Sequence, residues 1–424
     1  MQMLFPRKES RMHIPSYLRP LLSLFAAHGE RAYPVGGCVR DTLMGIPPHD
    51  WDVAVTTAPD RTVLLCQEAG YRTIPTGIRH GTVTVLLPHS GDPADREGSY
   101  ELIECTTCRT EGGYSDGRHP DAVAFTGRIS DDLSRRDFTV NAMALDTEGE
   151  GVSVLDLFGG RADLANGIIR AVGDPDTRFT EDALRLMRAV RFAVKLGFSI
   201  EPETRAAMAR CADGLGRISR ERISEEFQKI LISPNPEGGV AELDALGLLP
   251  HVLPEGISPA GVGQLSALPA DFAVRMAALQ WGKDGERLRR NLAGLRLSNA
   301  VRKSILTLTE SAFLSEEASP RNARKWRHSL GELAAPAVLV RLAHTTGDPA
   351  GLNELLALIH ASEEQGEPVR VADLAIGGND LIALGFRPGR LLQDILCELL
   401  EVVWSAPEKN TREELTKEAL KRQS

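Results

Sequence analysis

Over its first third the chain alternates short apolar runs with polar punctuation. Longer Leu- and Ala-rich segments follow. Val83-Thr84-Val85-Leu86-Leu87, Glu101-Leu102-Ile103-Glu104-Cys105 and Val152-Ser153-Val154-Leu155 are β-favouring runs bounded by Gly, Pro and Asp. Ala32-Tyr33-Pro34-Val35 reads as a further strand that runs into paired glycines and then a helix. Ahead of it, Leu21 to Ala27 is apolar but short, and Arg19 and Pro20 interrupt its approach, so the pattern predicts an amphipathic helix and not a signal peptide. The pattern changes once, near Leu157. From there apolar residues recur at helical spacing, and Gly/Pro punctuation near Pro234, Pro250 to Pro259 and Gly347 to Gly351 divides the helical part into subdomains.

Composition narrows the class. A length of 424 residues suggests about three domains. With 42% hydrophobic and 25% charged residues the chain can bury a sizeable core, which excludes a disordered, collagen-like or disulfide-stapled protein. No apolar run approaches the ~18 residues that a membrane span requires. Six scattered cysteines form no framework and point to a reducing cytoplasm. Cys105 and Cys108 make a C-x-x-C, but no second pair or His at finger spacing follows, so they read as passive thiols. The net charge of −9 argues against a generic polyanion binder, yet two stretches are locally basic: Lys283 to Lys303, and Arg321 to Arg327 around Trp326. Each reads as a solvated helix face or as a track for phosphates.

Candidate chemistry begins at Val35-Gly36-Gly37-Cys38-Val39-Arg40-Asp41. Glycines let backbone approach a ligand, helix N-terminal amides receive phosphate oxygens, and Arg40 adds a fork of donors for the same anion. A bare Gly-Gly turn alone would be a tight turn and nothing more. His49-Asp50-Trp51-Asp52 changes the odds. Asp50 and Asp52, two apart at a strand start, point to one face, and carboxylates held side by side repel unless a cation lies between them. Hard oxygen ligands there suit Mg²⁺, which also bridges to substrate phosphates. The dipeptide His49-Asp50 is also found in metal-dependent phosphohydrolases, but no further His/Asp set follows in the helical half.

Three further segments complete a pattern: Arg135-Arg136-Asp137-Phe138-Thr139-Val140-Asn141-Ala142-Met143-Ala144; Asp156-Leu157-Phe158-Gly159-Gly160 with Asp163-Leu164; and Glu181-Asp182-Ala183-Leu184-Arg185-Leu186-Met187-Arg188-Ala189-Val190-Arg191-Phe192. From roughly Tyr33 to Phe192 these motifs resemble, in order and spacing, the DNA polymerase β-like nucleotidyltransferases, and within them the class II tRNA nucleotidyltransferase and bacterial poly(A) polymerase family. Asn379-Asp380-Leu381, Gly385-Phe386-Arg387-Pro388-Gly389 and Asn410-Thr411-Arg412-Glu413-Glu414-Leu415 are similar to the C-terminal tRNA-binding part of the CCA-adding members. The resemblance implies an α+β fold. A nucleotidyltransferase head with a mixed sheet and helices (residues 1–157) precedes an all-helical neck (158–232), body (233–320) and tail (321–424), the tail binding tRNA.

The same resemblance implies roles. Asp50 and Asp52 hold Mg²⁺, with Glu104, on the strand after Val83 to Leu87, as a third carboxylate near the metal; an ordinary strand-edge Glu is the competing reading. Gly37, Arg40 and Arg136 position phosphates. Asp182 and Arg185 read the base of CTP or ATP, and Arg188 and Arg191 hold the nucleotide. Residues 111–121, with Gly112-Gly113, Arg118 and Pro120, resemble the mobile loop that helps switch specificity. Read from the residues alone, Thr180 is a helix N-cap followed by Glu181 and Asp182 in a first turn. Asp182, Arg185, Arg188 and Arg191 then recur every third residue, with Leu184, Met187 and Val190 facing the core. A solvated salt-bridged face would show the same row. The expected activity is template-independent addition of CCA to tRNA. A poly(A) polymerase, a partial CC- or A-adding enzyme of the same fold and a non-catalytic RNA-binding scaffold are the alternatives.

Overall fold

In chain order the first elements are helix α1 (Arg19–Ala27), strand β1 (Ala32–Val35), α2 (Gly37–Leu43), β2 (Asp52–Val55), α3 (Pro59–Glu68), β3 (Arg72–Gly77), β4 (Thr82–Pro88) and β5 (Tyr100–Thr107). A hairpin of β6 (Arg109–Gly112) and β7 (Ala122–Phe125) follows, then α4 (Ile129–Ser134), β8 (Met143–Asp146) and β9 (Ser153–Asp156). The structure is a computed structural model and describes residues 14–90, 99–112, 122–148, 151–311 and 314–422. Seven strands form one sheet in the order β3-β4-β5-β2-β1-β8-β9. Only β2 and β5 run parallel in it; the other neighbours are antiparallel. The expected strands at 32–35, 83–87, 101–105 and 152–155 all lie in this sheet. The apolar stretch before β1 is the predicted helix, with Leu21, Leu22 and Phe25 buried. The expected specificity loop lies almost wholly outside the described residues.

Register matters most at β2. Val53-Ala54-Val55 is buried as an unbroken apolar run, as a central strand requires, while Asp52 at its start stays exposed. Asp52 pairs with Val35 of β1 on one side and with Glu104 of β5 on the other. Tyr33, Val35 and Ala54 gather with Leu133 of α4 in a small core beneath this edge. Asp50 sits just before the strand rather than within it.

Beyond β9 the chain is almost entirely helical: α5 (Gly160–Asn166), α6 (Pro175–Glu181), α7 (Leu184–Leu196), α8 (Pro202–Arg210) and α9 (Arg220–Leu231) come next, with a two-residue parallel pairing of Ile168–Ile169 and Ser199–Ile200 between them. The Asp156-to-Asp163 motif is the joint between sheet and helices. Asp156 Oδ1 accepts the Gly160 N–H at 2.8 Å, its Oδ2 accepts the Arg161 N–H at 2.9 Å, and Asp163 Oδ2 accepts the Thr139 hydroxyl at 2.7 Å. A Cβ on Gly160 would lie 2.3 Å from the Thr139 carbonyl oxygen, which explains the glycine without any ligand. Gly160→Ala should therefore lose about 1–3 kcal/mol, the usual scale of overpacking. The check is a lower urea midpoint at unchanged m-value.

One expected helix start is corrected. Thr180 does not cap a helix; it lies in the last turn of α6, whose N-cap is Asp174, accepting the Thr177 N–H at 2.8 Å ahead of Pro175. Asp-Pro is the stronger start signal, because the capping carboxylate satisfies a free amide and proline has none to satisfy. Asp182 then leaves helical geometry (φ −138°, ψ 100°), and α7 begins at Leu184. Leu184, Met187 and Val190 are buried, as the spacing predicts.

Two compact units emerge: Met1–Ile230 with Ala241–His251, and Leu231–Val240 with Val252–Ser424. In the second unit Arg324 is not a surface cation. It is 6% exposed, bonds Glu367 through both ends of its guanidinium and donates to the Trp404 carbonyl. A periodic basic run cannot separate this buried bidentate pair from a solvated face, and the phosphate-track reading of Arg324 falls. Arg290 is bonded to Glu255 and Glu286, whereas Arg289 and Lys325 are exposed. The C-terminal motif builds its own core from Leu381, Phe386 and Leu415. Its polar residues are caps and ties: Asn410 accepts the Ala375 N–H at 2.8 Å, Asp380 accepts the Gly377 N–H at 2.8 Å, and Thr411 caps the last helix. No described helix is long and apolar enough to cross a membrane.

Candidate active site

A cleft of about 500 Å³ opens in the first unit between the start of β2, the N-terminus of α2, the segment from Arg135 to Asn141 and the row along α7. Eight basic side chains line it against five carboxylates, so it favours an anionic ligand. Of the expected site residues, Gly37, Arg40, Asp50, Asp52, Arg136, Asp182, Arg185, Arg188 and Arg191 all line this one space. Glu104 does not line it but is the strand neighbour of Asp52.

The carboxylate end is electrostatically crowded. Although Asp52 is accessible from the cleft, the protein packed around its carboxyl displaces water and pushes it up; Arg136 pulls against that, and the charges of Glu104 and Asp50 add to the rise. Such a group is relieved by a bound cation. Among the described residues no three His, Cys, Asp or Glu side chains gather into a ready-made cage. Two carboxylates with the rest of the shell open nevertheless fit a hard divalent ion that takes water and substrate phosphates as its other ligands.

Gly36, not Gly37, carries the conformational demand at α2. Its φ is +81°, and a Cβ there would lie 2.6 Å from Arg136 Nη1. The glycine thus lets Arg136 lie against the strand-to-helix turn, while Asp132 of α4 holds that guanidinium at 3.0 Å. Arg40 is buried and committed within the protein, donating to Asn141 Oδ1 at 2.6 Å and Asp41 Oδ1 at 2.8 Å.

The α7 row is anchored one residue at a time. Arg185 donates to Glu181 at 2.7 Å and to the Arg178 and Arg135 carbonyls at 2.9 Å each. Arg188 grips Asp137 Oδ2 at 2.6 and 2.8 Å, and Arg191 pairs with Glu226 of α9 at 2.8 Å. Guanidinium carbons of Arg191, Arg40 and Arg188 lie 4.3, 5.3 and 5.3 Å from the centre of the Phe192 ring, whose negative face tolerates the cluster. Burial pushes the Asp137 carboxyl up, but Arg188 and Asn141 outweigh it and hold it at about 2 against 3.8 for a free carboxyl. Its contribution, on the order of 2 kcal/mol, is therefore present above pH 3.8 and lost as pH falls through about 2. Asp137→Asn should lower stability at pH 7, with the gap to wild type narrowing below pH 4, as read by urea unfolding across that range.

A Poly A polymerase head domain model matches residues 32–170, and a second, described as Probable RNA and SrmB- binding site of polymerase A, matches residues 197–258. The CCA-adding enzyme of Limosilactobacillus fermentum is 37% identical over 410 residues, covering 95% of each chain. The chain belongs to the CCA-adding enzyme family. Among solved structures, the Bacillus stearothermophilus CCA-adding enzyme in complex with CTP superposes with a TM-score of 0.75 at 30% identity, covering 97% of this chain and 98% of that one. The Thermotoga maritima CCA-adding enzyme complexed with tRNA shares the fold, with a TM-score of 0.71 at 22% identity over 97% of both chains.

For this CCA-adding family member, the motif reading passed over several cleft residues. Gly36, Asn141 and Phe192 stand inside the quoted motifs, so the signal was present: each is the neighbour of a residue already singled out. Lys195 lies one turn beyond Arg191 on the same helix and lines the cleft with it. Arg222 had no such signal, being one of several charges on an ordinary amphipathic helix. Cys105 and Cys108 are buried thiols, the first pushed well above its usual range and the second up to about 12, chiefly by burial. Passive thiols are what such environments produce.

Proposed function

We propose that this protein completes the 3′ ends of tRNA, adding C, C and A from CTP and ATP without a nucleic-acid template. One observation carries the reading: a single cleft joins the strand-end carboxylates Asp50 and Asp52 to the Asp182–Arg191 row. Asp50 and Asp52 would hold Mg²⁺, with Glu104 beside them. When bound, the ion supplies a lowered pKa for the primer hydroxyl and neutralises charge on the triphosphate during in-line attack. Arg136, Arg188 and Arg191 hold phosphate and sugar oxygens, and Gly37 leaves room for their approach. Arg40 supports this wall through Asn141 rather than by reaching out.

Asp182 and Arg185 select the base. Cytosine and adenine each present an exocyclic amino donor beside a ring-nitrogen acceptor, which a carboxylate and a guanidinium complement. Uracil and guanine place a carbonyl where the amino group should be. The neck (158–232) would thus recognise nucleotide, while the body (233–320) and tail (321–424) hold tRNA, with exposed Arg289, Lys325 and Arg387 available to its phosphates. All six cysteines are free, in keeping with work in a reducing cytoplasm.

Incubating the purified protein with tRNA that lacks its 3′ CCA, and with each NTP singly and in pairs, tests the reading. CTP alone should add two residues, and a terminal A should appear only when ATP is also present. Long tails from ATP alone would instead assign a poly(A) polymerase, and arrest after CC with both nucleotides would assign a partial enzyme.

A further inference from the structure

Asp182 has extended backbone between α6 and α7; its N–H donates to the Arg178 carbonyl and its own carbonyl accepts the Arg185 N–H at 3.0 Å, so the backbone is held and other contacts orient the carboxylate. Its Oδ1 accepts the Leu184 N–H at 3.0 Å, a contact made within its own segment. Its Oδ2 accepts from Arg222 Nη2 at 3.0 Å, across to α9 and 40 residues further along the chain. One turn beyond Arg222, Glu226 pairs with Arg191 at 2.8 Å. Helix α9 therefore holds both ends of the row that lines the cleft. Arg222 itself lines the cleft, and its Nη1 is buried with no hydrogen-bond partner among the described residues. Asp182 is thus the contact that the Arg222 guanidinium is placed to make.

We propose that Arg222 is a positioning residue for base selection: it locks the Asp182 carboxylate so that an unused lone pair meets the exocyclic amino group of the incoming base. This rests on the assignment of Asp182 as a base reader. An ionised carboxylate offers about four acceptor sites, and the two contacts described leave sites on each oxygen for a ligand. Without Arg222 the Leu184 amide is the hydrogen bond left to the carboxylate among the described residues. It can then rotate to face water or the cleft cations, and a carbonyl-bearing base is no longer refused.

The test uses the full chain with Arg222→Met, Arg222→Lys, Asp182→Ala and the Asp182→Ala/Arg222→Met pair. Single-nucleotide incorporation is measured with all four NTPs on tRNA ending at the discriminator base. Inhibition by inorganic tripolyphosphate reports the phosphate end of the cleft separately. In Arg222→Met the kcat/KM preference for CTP over UTP should fall about tenfold to a hundredfold, the scale of one charged hydrogen bond. Most of that loss should lie in KM for CTP, with tripolyphosphate inhibition unchanged. Lysine keeps the charge but not the planar fork, so Arg222→Lys should be intermediate. In the Asp182→Ala background Arg222→Met should cost nothing more, because the two residues act as one unit. If Asp182→Ala loses discrimination while Arg222→Met keeps it, Arg222 has no positioning role and base reading by Asp182 stands. If Asp182→Ala itself keeps discrimination, the base-reading assignment falls and this proposal with it. Should Arg222→Met fail to unfold cooperatively, Arg222→Lys decides: an intermediate preference supports the role and a wild-type preference overturns it.

Discussion

Asp52→Asn should abolish nucleotide transfer while tRNA binding survives. The carboxylate stands at the mouth of an otherwise buried strand, next to Glu104 in register and to Asp50 just before it. The surrounding protein and those two like charges push its proton affinity up, a crowding that the proposed cation would relieve. Asparagine keeps the shape and removes the charge. Loss of one electrostatic stabiliser of transition-state charge costs roughly a hundredfold to a thousandfold in rate, and loss of half of the proposed metal-binding pair should reach at least that. The fold should not suffer, because Val53, Ala54 and Val55 carry the burial of β2. The measurement is incorporation of CTP at saturating Mg²⁺ beside a tRNA-binding assay. Near-normal turnover would sink the two-carboxylate mechanism.

A second large effect is expected at Asp182, in fidelity more than in rate. Asp182→Ala should admit UTP and GTP while the triphosphate end of the cleft continues to work. A charged hydrogen bond is worth about 1.5–3 kcal/mol, which corresponds to a tenfold or hundredfold change in preference. Arg185→Ala should act differently, weakening CTP and ATP together. Arg185 is 8% exposed and also ties Glu181 to the Arg178 and Arg135 carbonyls, so its removal loosens the link on which Asp182 sits. Incorporation of all four NTPs opposite no template reads both effects. If Asp182→Ala excludes UTP and GTP as strictly as wild type, the α7 row is a phosphate clamp and base choice lies elsewhere.

The change from a sheet-bearing head to helices, the strands at 83–87 and 101–105 and the acid pair before Val53 are written locally, in alternation, turn residues and spacing. Helical period also placed Leu184, Met187 and Val190 in the core. Partnership was not written locally. That Glu104 stands beside Asp52 follows from a parallel register between strands some fifty residues apart in sequence. That Arg188 serves Asp137, and Arg191 serves Glu226, follows from which helices pack. An arginine in a periodic row reads the same whether water or a buried carboxylate receives it, which is why Arg324 looked like surface and is core. Local sequence determined the elements and the kinds of chemistry they could carry. Tertiary structure decided which charges meet, because the low dielectric and fixed geometry that give those pairs their energy exist only once the elements have packed.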